Sequence, residues 1–209
     1  GTTNLVEAVV RSGIHLGKLI LASRTNVYGN VESDCISEDF PCKSLNHFAA
    51  RKLAMECMAS AYFDKISMLI VRAFNCIGPG QRTELLVPKI VEHFRRRKNE
   101  LRLGNIQVCR DFVDAIDASR FYLSMFERDS RGEVFNLCYE QVTSIEKIID
   151  ELTNNITGHH LQVLVDSRFV RANDPKIVKD DCKKAQDILG FRTQSSRPET
   201  LDFMRLNHD

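Results

Sequence analysis

Residues 68–81, MLIVRAFNCIGPGQ, limit what this chain can fold into more than any other stretch. They open on a continuous apolar run, Met68-Leu69-Ile70-Val71, the pattern of a strand buried on both faces in a parallel sheet. The run ends through Arg72-Ala73-Phe74-Asn75 and breaks at Gly78-Pro79-Gly80, a triplet that neither extends a strand nor starts a helix. A polar residue and a tight turn at the carboxyl end of a buried strand mark the place where open α/β sheets hold their ligands. Two halves of the chain are therefore expected to meet here, residues 1–80 and residues 81–209.

The flanking periodicities agree with that frame. Residues 2–12 put Leu5, Val6, Val9 and Val10 on one face and close on Gly13, an amphipathic helix with a glycine end. Residues 18–23 read as a second buried strand, and residues 46–63 as a helix with Phe48, Ala49, Leu53, Met55, Met58 and Tyr62 at helical spacing. Helix, strand, helix, strand is the rhythm of a parallel α/β sheet. Beyond Gly80 helices are predicted over 86–98, 115–128, 144–154 and 182–189, with Thr143 or Ser144 capping the third and Gly190 stopping the last. Short strands are predicted over 101–103, 108–113, 134–138 and 161–165. The fold class is α/β: the C-terminal part of a Rossmann-like parallel sheet with a smaller mixed α/β region.

Charge and cysteine usage narrow the function. Lys and Arg number 29 against 28 Asp and Glu, a formal net charge of +1, which gives no electrostatic ground for a nucleic-acid or membrane partner. The one basic run, Arg95-Arg96-Arg97-Lys98, falls at the polar end of a predicted helix and reads as a solvated face. The seven cysteines are odd in number and widely spaced, so reduced thiols in a cytoplasmic protein are expected. His159-His160 has no metal-ligand spacing, and no metal site is expected.

No G-x-G-x-x-G turn is present to cradle a dinucleotide pyrophosphate, yet the remaining blocks form a specific series. LASRTNVYG is similar to S-[ST]-x-x-V-Y-G, NHFAARKLAME to a Y-x-x-x-K helix, and RAFNCIGPGQ to R-x-F-N-x-x-G-P-G. LGNIQVCRDFVDAIDASRFY is similar to G-N-x-x-x-x-R-D-[FW], and RANDPKIVKDDCKKAQDILGF to an R-P-x-[DE] segment and the helix after it. In this order they resemble the extended short-chain dehydrogenase/reductase family acting on nucleotide sugars, nearest its GDP-mannose 4,6-dehydratase and GDP-4-keto-6-deoxy-mannose reductase branch. By that resemblance residues 1–80 are a partial dinucleotide-binding domain and residues 81–209 a nucleotide-sugar region. About three βα units, roughly 100 residues at about 30 each, would precede Gly1.

The resemblance implies NAD or NADP, a nucleotide-sugar substrate linked to GDP, and a homodimer built from helices 2–12 and 46–63. Relatives use a tyrosine to exchange a proton with the sugar oxygen, a lysine one helical turn on, and a Ser or Thr hydroxyl at the same oxygen. Here Lys52 stands at the lysine position, but Phe48 replaces the tyrosine and Arg24 the hydroxyl residue. Phenylalanine has no proton to transfer, and arginine stays charged. Ser23, Thr25 or His47 are the nearby candidates to substitute. Asn26 stands where dehydratases of the family carry a carboxylate, which favours ketoreduction or epimerisation over elimination. The cofactor contacts implied are Lys52, Ser23, Ala73 and Phe74. For the substrate they are Asn75 at the diphosphate or sugar, Lys89 and Arg110 at phosphate oxygens, and Arg171 and Asp174 at ribose and purine. Plainer roles stand beside these: Lys89 as a surface lysine, Arg110-Asp111 as a structural ion pair, Asp174 as a turn residue before Pro175, Tyr28 and Phe74 as packing. Three readings stay open at this point: a reductase or epimerase, a binding relative without catalysis, and an incomplete part of such an enzyme.

Overall fold

The structure is a computed structural model that describes residues 1–31, 35–128, 130–155, 159, 161–170 and 181–207. Its centre is a parallel sheet of β1 (Leu19–Arg24), β2 (Met68–Ala73) and β6 (Glu133–Leu137), in the order β1-β2-β6. All six residues of β2 are buried, as a middle strand covered on both faces must be. Its side chains alternate between two cores. Met68 and Ile70 join Val6 of α1 (Thr2–Ser12) and Ala59 of α2 (His47–Ser60). Leu69 and Val71 join Phe121 and Met125 of α4 (Ala115–Glu127) and Ala185 and Leu189 of α6 (Lys183–Leu189).

The strand predicted at the centre therefore forms, and so do its flanking helices. One difference lies just after it. The chain does not pass straight into a turn but makes another short strand, β3 (Asn75–Ile77), which pairs in parallel with β5 (Cys109–Asp114). Antiparallel to β5 lies β7 (Val142–Ser144). A third pair, β4 (Glu100–Leu103) with β8 (Gln162–Val165), is parallel. Helices α3 (Leu86–Arg95), α5 (Ile145–Asn154) and α7 (Arg197–Leu206) close over these strands around Val87, Ile90, Phe94, Leu101, Ile148 and Leu201.

The helix starts follow local chemistry. Asn46 accepts from Ala49 N–H to cap α2, Asp114 caps α4, Ser144 caps α5, and Ser196 with Glu199 forms a capping box on α7. Gly29 has φ +76°, and a Cβ there would run into the Lys43 carbonyl; glycine is what lets the loop after β1 turn back. The sheet also takes β6 from beyond Gly80, so the two halves of the sequence share one sheet. A correction concerns the cysteines: Cys138 and Cys182, both buried, are in contact as a disulfide pair, whereas reduced thiols were expected throughout. Cys42, Cys57, Cys76 and Cys109 are free thiols.

Candidate nucleotide-sugar site

A cavity of about 590 Å³ opens beside the carboxyl ends of β1 and β4, within the size range of small-molecule sites. The end of β1 contributes Arg24, β3 contributes Asn75 and β5 contributes Arg110; the facing wall carries Lys89 from α3, Arg102 to Gly104 at the end of β4, and Phe169. Three residues assigned to substrate from the sequence, Asn75, Lys89 and Arg110, thus line one crevice although they span β3, α3 and β5. Arg171 and Asp174, with Pro175, lie outside the described residues.

Each polar group reaches the cavity through its element. Asn75 Nδ2 donates to the Asp111 carbonyl at 3.5 Å, a long bond that leaves most of the amide's capacity to the cavity side. Lys89 Nζ donates to the Arg102 carbonyl at 2.9 Å and lies 5.1 Å from the Phe169 ring centre. That arrangement ties α3 to the end of β4 and keeps the ammonium at the cavity wall. Arg110 Nη1 donates to the Cys109 carbonyl at 2.7 Å. Gln81 pins the Gly-Pro-Gly turn from within: its amide donates to the Cys76 carbonyl at 3.0 Å and accepts from Gly78 N–H at 3.2 Å.

The residues carried over to catalysis and cofactor sit elsewhere, Arg24 excepted. Lys52 Nζ donates to the Ala22 carbonyl of β1 at 2.6 Å, one helical turn after Phe48, which is 47% exposed. Thr25 opens a short 3-10 turn directly after β1. The Ser23 hydroxyl is buried and donates to Glu56. Ala73 and Phe74 turn into the core beside Val113 and Phe121. No group of three or more His, Cys, Asp or Glu that could hold a metal ion occurs among the described residues.

Sequence reading missed the buried polar framework of the sheet. Arg72, in the middle of the apolar strand, is 7% exposed and bonds Glu56, Tyr28 and the Glu38 carbonyl. Its charge in such a run was the available signal, since a buried arginine needs a partner, but nothing in the spacing named Glu56. Asp111 is likewise fully buried, and its carboxylate accepts from Tyr139 N–H at 2.9 Å and Glu140 N–H at 2.7 Å. Those bonds hold the loop after β6 against β5. Burial pushes the Asp111 carboxyl up to about 6 despite the two N–H donors, and burial also raises Glu38.

A pH dependence follows. With its folded pKa above the unfolded value of about 3.9, Asp111 binds more protons in the folded state, so stability rises as pH falls through 6. Urea unfolding at pH 5 and pH 7 is expected to show about 1 kcal/mol more stability at pH 5. Asp111→Asn should flatten that rise. Below about pH 4 the trend reverses, because Glu92, held down to about 2 chiefly by Arg95 and then by Arg96, loses its contribution as it protonates. A wild-type curve that falls steadily from pH 7 to pH 5 would contradict the assignment.

The sequence model of the GDP-mannose 4,6 dehydratase family matches residues 1–204. The chain belongs to that family. GDP-6-deoxy-D-talose 4-dehydrogenase of Aggregatibacter actinomycetemcomitans is 28% identical over 190 residues, covering 91% of this chain and 64% of that protein. GDP-6-deoxy-D-mannose reductase of Pseudomonas aeruginosa is 29% identical over 210 residues, covering 96% and 68%. Among solved structures, RMD from Pseudomonas aeruginosa complexed with NADPH superposes with a TM-score of 0.90 at 27% identity, over 98% of this chain and 70% of that one. UDP-glucuronic acid 4-epimerase from Bacillus cereus, in complex with UDP-glucuronic acid and NAD, gives 0.86 at 27% identity, over 98% and 66%. The chain therefore spans about two thirds of the length of these relatives. The Rossmann-like α/β fold expected from the sequence is the fold of this family's solved relatives.

Proposed function

We propose that this chain forms the nucleotide-sugar pocket of a reductase- or epimerase-type protein, taking a GDP-linked sugar, with its proton-transfer pair replaced. One observation carries the reading. Asn75, Lys89 and Arg110 share a single crevice, while Phe48 and Arg24 stand where relatives place a tyrosine and a hydroxyl residue. The GDP-sugar dehydrogenase and reductase among its relatives support the choice of nucleotide. NAD or NADP would supply the hydride when bound. In this chain Lys52, fixed on the Ala22 carbonyl of β1, is the side chain suited to hold the cofactor's ribose. The replaced pair also supports the reading of a binding relative without catalysis, because Phe48 has nothing to exchange with a sugar oxygen.

The same proposal includes a cytoplasmic protein, a reading supported by the free thiols of Cys42, Cys57, Cys76 and Cys109. It also includes a homodimer through α1 and α2, whose packed pair leaves Leu5 52% exposed. A monomer mass in light scattering would remove the dimer from the proposal.

Calorimetry tests the pocket. GDP is expected to bind, and Lys89→Met or Arg110→Gln each to weaken it about tenfold or more, the worth of one charge-assisted hydrogen bond. NADPH titrated into this chain separates the two halves of the reading, since its pyrophosphate has no glycine-rich turn here to receive it. Absence of GDP binding would overturn the proposal.

A further inference from the structure

Four cationic side chains line the cleft, Arg24, Lys89, Arg102 and Arg110, against one carboxylate, Glu84, among the described residues there. Glu84 answers Arg82 at 3.3 Å, and Arg102 answers Glu100 at 2.9 Å. Lys89 rests on a carbonyl and an aromatic ring. Arg24 is different. It is half-buried, its Nε is wholly buried with no hydrogen-bond partner, and no ion pair to it occurs among the described residues. Among the described residues the titratable groups that face it, Cys76 and Tyr122, are both neutral near pH 7.

An arginine placed in that way is costly. Removing a guanidinium N–H from water without a partner carries the full desolvation penalty of a charged group. The cost is offset when a ligand brings the missing negative charge. Arg24 closes β1 in register with Ala73, immediately before Phe74 and Asn75, and lines the same cleft as Asn75, Lys89 and Phe169. It is also the position where relatives carry a small neutral hydroxyl, so a neutral sugar gives no reason for a cation there.

We propose that Arg24 is a specificity-determining residue that receives an anionic group on the sugar itself, the carboxylate of a hexuronosyl unit, so that the pocket prefers nucleotide-linked uronic acids over neutral hexoses. This rests on the reading of the cleft as a nucleotide-sugar site. The planar fork of arginine matches a carboxylate through two parallel N–H bonds. Lys89 and Arg110 keep the role at the diphosphate that the proposed function gives them.

Calorimetric titration with GDP, GDP-mannose and GDP-mannuronate tests it on the chain as it exists. GDP-mannuronate is expected to bind wild type at least tenfold more tightly than GDP-mannose. In Arg24→Gln that ratio should fall to about one with GDP affinity unchanged, and Arg24→Lys should restore part of it. Thermal melts of each variant confirm that the fold is retained. Equal affinities of wild type for the two sugars overturn the inference. An equal loss of GDP and GDP-mannuronate binding in Arg24→Gln also overturns it, because Arg24 would then serve the diphosphate. Failure to bind GDP at all overturns the reading of the cleft, and this inference with it.

Discussion

Arg72→Met is expected to cost this fold about 3–5 kcal/mol, the range seen when one member of a buried ion pair is removed. For a chain of this size that lowers the melting midpoint by roughly 10 °C. The reason lies in how many groups lose a partner at once. Arg72 Nη2 meets Glu56 Oε2 at 2.7 Å, and Nε reaches both Glu56 oxygens at 3.3 and 3.1 Å. Nη1 donates to the Tyr28 hydroxyl at 2.8 Å and to the Glu38 carbonyl at 2.9 Å. The Tyr28 hydroxyl donates a hydrogen bond to Asn136 Oδ1 at 2.8 Å, and burial lifts its phenol above the ordinary range. Asn136 in turn bonds the Ile36 carbonyl at 3.0 Å. The network thus fastens α2, the V-Y-G turn and the loop around Ile36 to two strands of the sheet.

With Arg72 gone, Glu56 would remain as a buried carboxylate at 5% exposure, with the Ser23 hydroxyl as its one remaining hydrogen-bond partner among the described residues. Replacing both partners, Arg72→Met with Glu56→Leu, removes the stranded charge and is expected to lose less than the single change. Urea unfolding of the two variants measures the difference. A single variant within 1 kcal/mol of wild type would show that the pair contributes little.

The second large effect concerns chemistry. The chain as it stands is expected to reduce no ketosugar above background. Phe48→Tyr together with Arg24→Ser, in a chain that carries a dinucleotide-binding segment, should raise GDP-4-keto-6-deoxy-mannose reduction about 10²–10⁴-fold, the usual worth of a placed general acid. The scaffold for it is present: the first turn of α2 is capped by Asn46, and Lys52 is held one turn later on the Ala22 carbonyl. NADPH consumption is the readout. No turnover from the double variant would show that these two replacements are not what separates this site from a working reductase. The same Arg24 change is expected to abolish a preference for uronic acids, so binding and turnover in one variant report on two separate roles of the position.

What could be read from the residues alone was whatever acts over a few positions. The apolar run of Met68 to Val71 set a doubly covered strand, the 3.6-residue spacing set α2, and Thr143 or Ser144 and Gly190 marked helix ends, of which the structure uses Ser144 and Gly190. The motif series set the family and named Asn75, Lys89 and Arg110. Only the tertiary structure decided who meets whom. Glu56 answers Arg72, β6 returns to lie beside β2 with Leu69 opposite Glu133, Cys138 meets Cys182, and Arg24 lines the cleft with no counter-charge among the described residues. Such pairings join groups far apart along the chain, and spacing in sequence carries no distance in space once the backbone has turned. Whether a charge is compensated is settled only when every element around it is in place.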